Sequence, residues 1–164
     1  MFEDFHSFLY TGRIYSGDES ETKSPGYDKE WWRLEHSWIL GEVLLSGAFK
    51  DAVIDAIIHK IAVTKNWPIT MYSAIYPHAS DTSPIKKLMV DIVVHRWSKK
   101  DVSALNTQHN PALKAKFLQD VVVALFEVRA SSKAEHTKSP ITLNSGCTYH
   151  EHGADKPCYK TMFG

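Results

Sequence analysis

Four residues near the C-terminal end, Cys147, His150, His152 and Cys158, have the side chains and spacing to bind a metal ion. Two thiolates and two imidazoles complete a tetrahedral zinc shell, and the two thiolates neutralise the charge of Zn²⁺. The two residues between Cys147 and His150 suit a tight turn. A glycine and a proline between His152 and Cys158 allow the chain to reverse. The sequence therefore predicts a zinc site, although its spacing is not that of a standard zinc finger.

The same tail has two other interpretations, and the sequence does not decide between the three. One is a mobile tail whose thiols bind nothing. The other is a disulfide between Cys147 and Cys158 that closes a short loop. Zinc binding would help to order a segment that has few apolar side chains of its own.

Patterns typical of enzymes are absent from the sequence. It has no Gly-x-Ser-x-Gly elbow, no phosphate-binding P-loop, no glycine-rich dinucleotide turn and no His-Glu-x-x-His pair. Cysteine–histidine catalysis requires a nucleophile on a folded scaffold, whereas both cysteines follow a polar segment. Asp51 and Asp55 share a helix face but alternate with apolar residues, which predicts solvated or salt-bridged carboxylates. We expect no catalytic residues and no enzymatic activity.

Composition narrows the class of protein. The chain has 164 residues, of which 43% are hydrophobic, and its 19 basic and 19 acidic residues cancel. A neutral globular chain lacks the positive surface that binds nucleic acid or acidic membranes. The basic residues at 86–87 and 96–100 are therefore interpreted as an exposed polar face. No apolar run reaches the roughly 20 residues of a membrane span, and no secretory signal is visible. We expect an intracellular protein, cytoplasmic or nuclear, without nucleic-acid or membrane partners.

The sequence before the Cys/His tail has the apolar spacing of α-helices, which must position the tail. Phe2, Phe5, Phe8 and Leu9 fall on one helical face, and Gly12 suits the left-handed residue that closes a helix. A short extended piece follows at 13–16, and an exposed loop at 17–27.

A helical hairpin is predicted next. Asp28 is a candidate N-cap for the first helix. That helix is expected to end at Ser46-Gly47, so that about two residues connect it to the second helix. Each helix carries a wide apolar face: in the first, Trp31, Leu34 and Trp38, widened by Leu40, Val43 and Leu44; in the second, Phe49, Val53, Ile57 and Ile61.

Later elements are less marked. A short helix is predicted over Thr70–Tyr76, and Ser83-Pro84 and Asn110-Pro111 predict two helix starts. Another short turn is expected near residues 100–105. The small and polar residues 130–146 predict a linker.

Two segments, MFEDFHSFLYTGRIY at 1–15 and WILGEVLLSGAFKDAVIDAI at 38–57, resemble the second half of a BTB/POZ domain in its fungal form. The matching residues are Phe5, Phe8, Leu9, Tyr10, Thr11 and Gly12, then Leu40, Gly41, Leu44, Phe49, Lys50, Asp51, Ala52 and Ile54. The resemblance implies a mainly α, partial BTB/POZ fold: a helix, a short strand and a helical hairpin, followed by further helices and the Cys/His tail. The opening strands and first helices of the family have no counterpart. The same fungal group carries a comparable Cys-x-x-His-x-His tail.

The division expected from the patterns and the resemblance is a partial BTB/POZ domain at 1–65, a helical extension packed on it at 66–130, a flexible linker at 131–146 and the Cys/His tail at 147–164. The resemblance implies a non-catalytic module for protein–protein interaction, through self-association or as a ubiquitin-ligase adaptor on a cullin-type scaffold. Exposed residues for partners would be those around His6, Ser7, Tyr10 and Arg13.

Two alternatives remain at this point. The chain is a small zinc-binding module that acts through its tail, or it is a truncated BTB protein without independent activity. Truncation would leave the apolar hairpin faces open to water, at about 25 cal/mol per Å², unless the helices after residue 65 or a partner cover them.

Overall fold

The computed structural model describes residues 1–15, 28–68, 70–103, 105, 111–130, 139–143, 146–152 and 156–163. Over these residues the chain forms seven α-helices and a 3-10 turn, and no strand. The helices are α1 (Phe2–Thr11), α2 (Lys29–Val43), α3 (Gly47–Thr64), α4 (Met71–Ile75), α5 (Pro84–Arg96), α6 (Lys99–Ser103) and α7 (Pro111–Ala130), and the 3-10 turn is Tyr159–Thr161. The mainly helical fold is confirmed.

Helix α1 ends as its sequence predicts. Gly12 adopts φ 66° and ψ 11°, and its N–H donates to the carbonyl of Phe8 at 2.8 Å. Residues 13–15 form no strand. Ser16 and the predicted loop at 17–27 lie outside the described residues.

The apolar face predicted for α1 is only partly buried. Phe8 is in the core, but Phe2 and Leu9 are exposed, and Asp4 is buried instead. Spacing alone places Phe2 and Leu9 beside the core residues, but only a narrow stripe of α1 contacts α2 and α3. Asp4 lies in that stripe because side chains of α2 hydrogen-bond its carboxylate.

Helices α2 and α3 form the predicted hairpin. Lys60 Nζ, late in α3, lies 2.8 Å from Asp28 Oδ2 before α2, and Lys50 Nζ, early in α3, lies 2.8 Å from Glu42 Oε1 late in α2. These two ion pairs show that the helices are antiparallel. Three residues, 44–46, connect them rather than two, and Leu45 takes a left-handed φ of 53°.

The N-cap predicted at Asp28, before α2, is confirmed. The Asp28 carboxylate accepts from the N–H groups of Glu30 and Trp31 at 3.0 and 3.4 Å. The predicted core faces of both helices are buried, except that Leu40 is only partly buried and Val43 and Leu44 are exposed. The prediction fails there because α2 ends at Val43 and the connection carries these side chains away from α3.

Helix α1 and the helices after residue 65 both pack on the hairpin. Helix α4 packs on α2 and α5, and α5 packs on α7. Tyr72 of α4 stacks on Phe117 of α7, with ring centroids 4.4 Å apart. Trp38 and Phe49 are buried within the described chain, and the rings of Phe5 and Phe8 in α1 contact that of Phe49, with centroids 5.0 and 5.4 Å apart.

The predicted starts of α5 and α7 are confirmed, but the predicted side-chain cap of α5 is not. Helix α5 begins at Pro84 after Ser83, whose hydroxyl makes no cap and instead donates to Glu151 Oε1 at 3.4 Å. Helix α7 begins at Pro111, and Asn110 lies outside the described residues. Helix α6 corresponds to the short turn expected near 100–105.

Single residues of the predicted linker and of the predicted basic face are packed, while others, such as Leu143 and Lys87, are exposed. Ile141 is buried, and its carbonyl accepts from Arg96 Nη2 at 2.9 Å. Lys86 is buried over the ring of Tyr76 and pairs with Asp81. These cations are therefore not part of a freely exposed basic face. No helix among the described residues is both long enough and apolar enough to cross a membrane.

Candidate metal centre

Two short turns present the four predicted ligands. In the first, the N–H of His150 donates to the carbonyl of Cys147 at 3.1 Å, which places both residues on one side of the turn. In the second, Cys158 caps the 3-10 turn, and its carbonyl accepts from the N–H of Thr161 at 2.9 Å. The two turns bring together side chains that are up to eleven positions apart in the sequence.

The structure gathers all four predicted ligands in one cluster. One ligand atom from each of Cys147, His150, His152 and Cys158 lies within 4.8 Å of the others. His150 Nδ1 is 3.4 Å from His152 Nε2 and 3.6 Å from Cys158 Sγ. Tetrahedral zinc with bonds of about 2.0–2.3 Å places neighbouring ligand atoms about 3.3–3.8 Å apart. These two separations therefore fit a shared zinc ion.

The cluster lies at the surface, with one ligand inside. His150 is buried, His152 and Cys158 are half-buried, and Cys147 is exposed. Both cysteines are free thiols. Because burial decreases from His150 to Cys147, an ion can reach the cluster from solvent on the Cys147 side. The buried imidazole of His150 is surrounded by protein.

Two carboxylates of α3 anchor the turn that carries the histidines. Asp51 Oδ1 accepts from the N–H of Glu151 at 2.7 Å. Asp55 Oδ1 lies 3.1 Å from His150 Nε2. Since Asp51 and Asp55 are one helical turn apart, they hold the backbone and the ring of the same turn on one helix.

Asp55 has further partners in the tail. Its Oδ2 accepts from the hydroxyl of Tyr159 at 2.6 Å and lies 2.8 Å from Lys160 Nζ. Both tail turns therefore meet at this single carboxylate.

Aromatic contacts complete the docking of the tail. Tyr149 is buried and donates to Asp91 Oδ2 of α5 at 2.8 Å. Phe8 of α1 contacts the rings of Tyr159 and Phe163, with centroids 6.0 and 5.3 Å apart. The tail thus packs on α1, α3 and α5, although its few apolar side chains predicted little packing against the helices.

The surroundings prepare one thiol for ionisation. Burial would raise the pKa of Cys158, but hydrogen bonds from the Lys160 backbone, Cys147 and the two histidines outweigh it and lower the pKa. The pKa of Cys147 is raised, by burial and by Cys158. Because the thiolate is the form that binds metal, these opposite pKa shifts favour ionisation of Cys158 over that of Cys147.

Neighbouring charges also shift the acids and the buried histidine. Burial would raise the pKa of Asp55, but His150, Lys160 and Tyr159 lower it below its usual range. Burial would lower the pKa of His150, but Asp55 and Asp51 raise it. Burial is the main cause of the raised pKa of Asp51. Asp55 is therefore an ionised acceptor, and a proton competes with metal for His150.

The sequence interpretation missed the part that α3 plays. It assigned Asp51 and Asp55 as solvated or salt-bridged. Asp55 does pair with Lys160, but Asp51 is fully buried and bonds the tail backbone. The available signal was a pair of carboxylates, one turn apart, on a helix that is otherwise apolar on nearly every side.

A polar cavity of about 410 Å³ lies beside the centre, lined by residues that include Glu42, Lys50, His78, Ser83 and Glu151. Lys50 is buried and its ammonium pairs with both Glu42 and Glu151. Because Glu151 lies between two predicted ligands, this ion pair is a further link between the hairpin and the tail.

Comparison with known proteins found no match: no family model, no curated protein and no solved structure is similar to this chain. The BTB/POZ resemblance remains a prediction.

Proposed function

We propose that this protein binds a structural zinc ion through Cys147, His150, His152 and Cys158, and that the ion fixes the tail on the helical core. The observation that carries the proposal is the convergence of four ligand atoms within 4.8 Å. The two separations from His150 Nδ1, 3.4 and 3.6 Å, suit tetrahedral coordination, and the mixed sulfur and nitrogen donors suit zinc.

A structural role follows from the ligand count. Catalytic zinc sites keep a position open for water or substrate, whereas structural sites are closed by four protein ligands. This cluster offers four ligands. Two thiolates neutralise the ion, so the closed site carries no net charge of its own. With no open coordination position, the ion would stabilise the structure rather than activate water or substrate.

The test is metal content of the whole chain, purified without chelator from cells supplied with zinc. We expect one zinc ion per chain by elemental mass spectrometry, and two thiols that become reactive when a chelator removes it. Cys158→Ser and His150→Ala should abolish stoichiometric zinc. His59→Ala, a change at an exposed histidine of α3 outside the cluster, is the matched control. A zinc content near zero in the wild type would overturn the proposal.

Cobalt substitution tests the ligand set independently. Co²⁺ bound by thiolates in a tetrahedral site gives intense visible bands and a sulfur-to-metal charge-transfer band. Both should appear in the wild type and weaken in the two cluster variants. A disulfide between Cys147 and Cys158 would instead give no cobalt spectrum until a reductant is added.

A second function, protein–protein interaction of the BTB/POZ type, is favoured by α1. Phe2 and Tyr10 of this helix are 71% and 77% exposed, and Leu9 lies beside them. Large exposed apolar side chains on one short helix are typical of an interaction site. In this proposal the partner is a protein, either a second copy of the chain or a scaffold of the cullin type.

Self-association and affinity capture test this second function. We expect either a dimer by light scattering or a stoichiometric partner in capture from source cells. Replacing Phe2, Leu9 and Tyr10 by serine should remove it. Replacing the exposed Val63 of α3 and Val102 of α6, which lie on separate helices, is the matched control. Cullin peptides would identify a ubiquitin-ligase adaptor. Recovery of chaperones alone would count against the interaction function and favour a truncated product.

A further inference from the structure

We propose that Asp55 is a positioning residue of the metal centre, which holds the His150 ring so that Nδ1, rather than Nε2, binds the ion. The inference rests on the proposed zinc function and adds to it a ligand atom and a residue outside the Cys/His cluster.

The two nitrogens of His150 face different neighbours. Nε2 lies 3.1 Å from Asp55 Oδ1, whereas Nδ1 lies 3.4 Å from His152 Nε2 and 3.6 Å from Cys158 Sγ. A carboxylate only accepts hydrogen bonds, so Nε2 must carry a proton and donate it. A neutral imidazole protonated at Nε2 has its lone pair on Nδ1. That lone pair is on the side of the ring where the other ligand atoms gather.

The carboxylate is itself held in place. Asp55 lies on α3 between the buried residues Ile54 and Ile57. Its second oxygen accepts from Tyr159 at 2.6 Å and pairs with Lys160 at 2.8 Å. These contacts fix the plane of the carboxylate, so a rigid helix sets the orientation of the His150 ring before an ion arrives. Histidine ligands of metals are generally oriented by such outer hydrogen bonds.

The arrangement predicts two different histidine ligand modes in one site. His150 binds through Nδ1. His152 binds through Nε2, since this is its atom that faces His150 Nδ1. The two modes are distinguishable in solution, because each leaves a proton on the opposite ring nitrogen.

Asp55→Asn is a selective test because of the donors around it. Tyr159 and Lys160 both donate to the Oδ2 position and will draw the amide oxygen there. The amide NH₂ then faces His150 Nε2, which must become an acceptor. The proton moves to Nδ1 and blocks the ligand atom. Loss of such a carboxylate typically lowers metal affinity about 10–100-fold.

The first measurement is zinc affinity by competition with a chromophoric chelator, for the wild type, Asp55→Asn and Tyr159→Phe. The phenylalanine variant is the matched control, because it removes one bond to the same carboxylate but keeps the aromatic ring and the bond between Asp55 and His150. We expect a loss of about 10–100-fold for Asp55→Asn and a far smaller one for Tyr159→Phe. Circular dichroism without zinc verifies that each variant folds. Equal losses would assign the effect to tail docking and overturn the inference.

The second measurement needs no variant. Two-bond ¹H–¹⁵N correlation spectra of the zinc-loaded wild type report which ring nitrogen carries the proton. We expect the proton on Nε2 of His150 and on Nδ1 of His152. Zinc bound with His150 protonated at Nδ1 would overturn the role of Asp55 and leave the zinc function intact. A wild type that binds no zinc would overturn the zinc function itself.

Discussion

The carboxylate of Asp4 in α1 receives two parallel hydrogen bonds from the guanidinium of Arg33 in α2. Arg33 Nε donates to Oδ2 at 2.9 Å and Nη2 to Oδ1 at 2.5 Å. Ser37 Oγ adds a third, to Oδ2 at 3.0 Å. Asp4 is 1% exposed, so this paired charge replaces apolar packing where the two helices meet.

Asp4→Ala should destabilise the protein by about 2–3 kcal/mol. Breaking a buried ion pair costs about 3–5 kcal/mol, and the partial exposure of Arg33 reduces that value. Urea denaturation followed by circular dichroism measures the change. Glu3→Ala, at the exposed neighbouring acid of the same helical turn, is the control and should be nearly neutral. Equal effects of the two changes would show that the Arg33 contact contributes nothing.

The effect of Asp4→Ala should also depend on pH. Burial alone would raise the pKa of Asp4, but Arg33 and Ser37 outweigh it, so the folded-state pKa lies below the ordinary 3.8. The unfolded chain therefore binds the proton more readily. The stabilisation is complete above the unfolded pKa and disappears as pH falls through the folded one. The difference between wild type and variant should shrink between about pH 5 and pH 2; a constant difference would contradict the ion pair.

Glu35 should have the opposite pH dependence. Burial raises its pKa from 4.5 to about 7, so the folded protein binds the proton more readily than the unfolded chain. Stability then declines as pH rises from about 4.5 through 7. The difference corresponds to at most about 3 kcal/mol. Glu35→Gln should therefore exceed the wild type in stability at pH 8 and match it near pH 4. Glu127→Gln, at an exposed site of α7, is the control and should differ little from the wild type in stability at either pH.

Gly41 allows α2 and α3 to approach closely. A Cβ at this position would lie 2.5 Å from Cγ of Lys50 and 3.3 Å from Cδ1 of Phe49. Gly41→Ala gains up to about 1 kcal/mol of helix propensity, but displacing these side chains costs about 1–3 kcal/mol. We expect a net loss of thermal stability. Gly47→Ala is the matched control, because its Cβ meets nothing within 4 Å. A more stable Gly41→Ala protein would show that the helices separate easily.

The features predicted correctly from sequence depend on nearby residues. The cap at Asp28, the left-handed Gly12 and the core stripes of α2 and α3 follow from spacings of two to four residues. The four tail residues that the structure brings together, Cys147, His150, His152 and Cys158, were also predicted as a group from local spacing. Asp4, Asp51 and Asp55 were not identified as buried anchors, because their partners lie 29 to 104 positions away. Ser83 fits the sequence pattern of an N-cap, but its hydroxyl donates a hydrogen bond to Glu151 instead.

Removing zinc should loosen the tail without unfolding the helices. The tail is held by the proposed ion, by Asp51 and Asp55, and by the burial of Tyr149 and Tyr159. Without the ion, the two turns are joined only through these contacts with the core. Hydrogen exchange should therefore accelerate at residues 147–152 and 156–161, while α2 and α3 remain protected because they pack on each other and α2 packs on α4.

Hydrogen–deuterium exchange by mass spectrometry measures this difference, before and after chelation. Readdition of zinc should restore protection of the tail, whereas magnesium, which prefers oxygen ligands, should not. If α2 and α3 lose protection together with the tail, the ion supports the whole fold. If nothing changes in either region, the contacts of Asp51 and Asp55 are sufficient to hold the tail, and zinc is not its structural clamp.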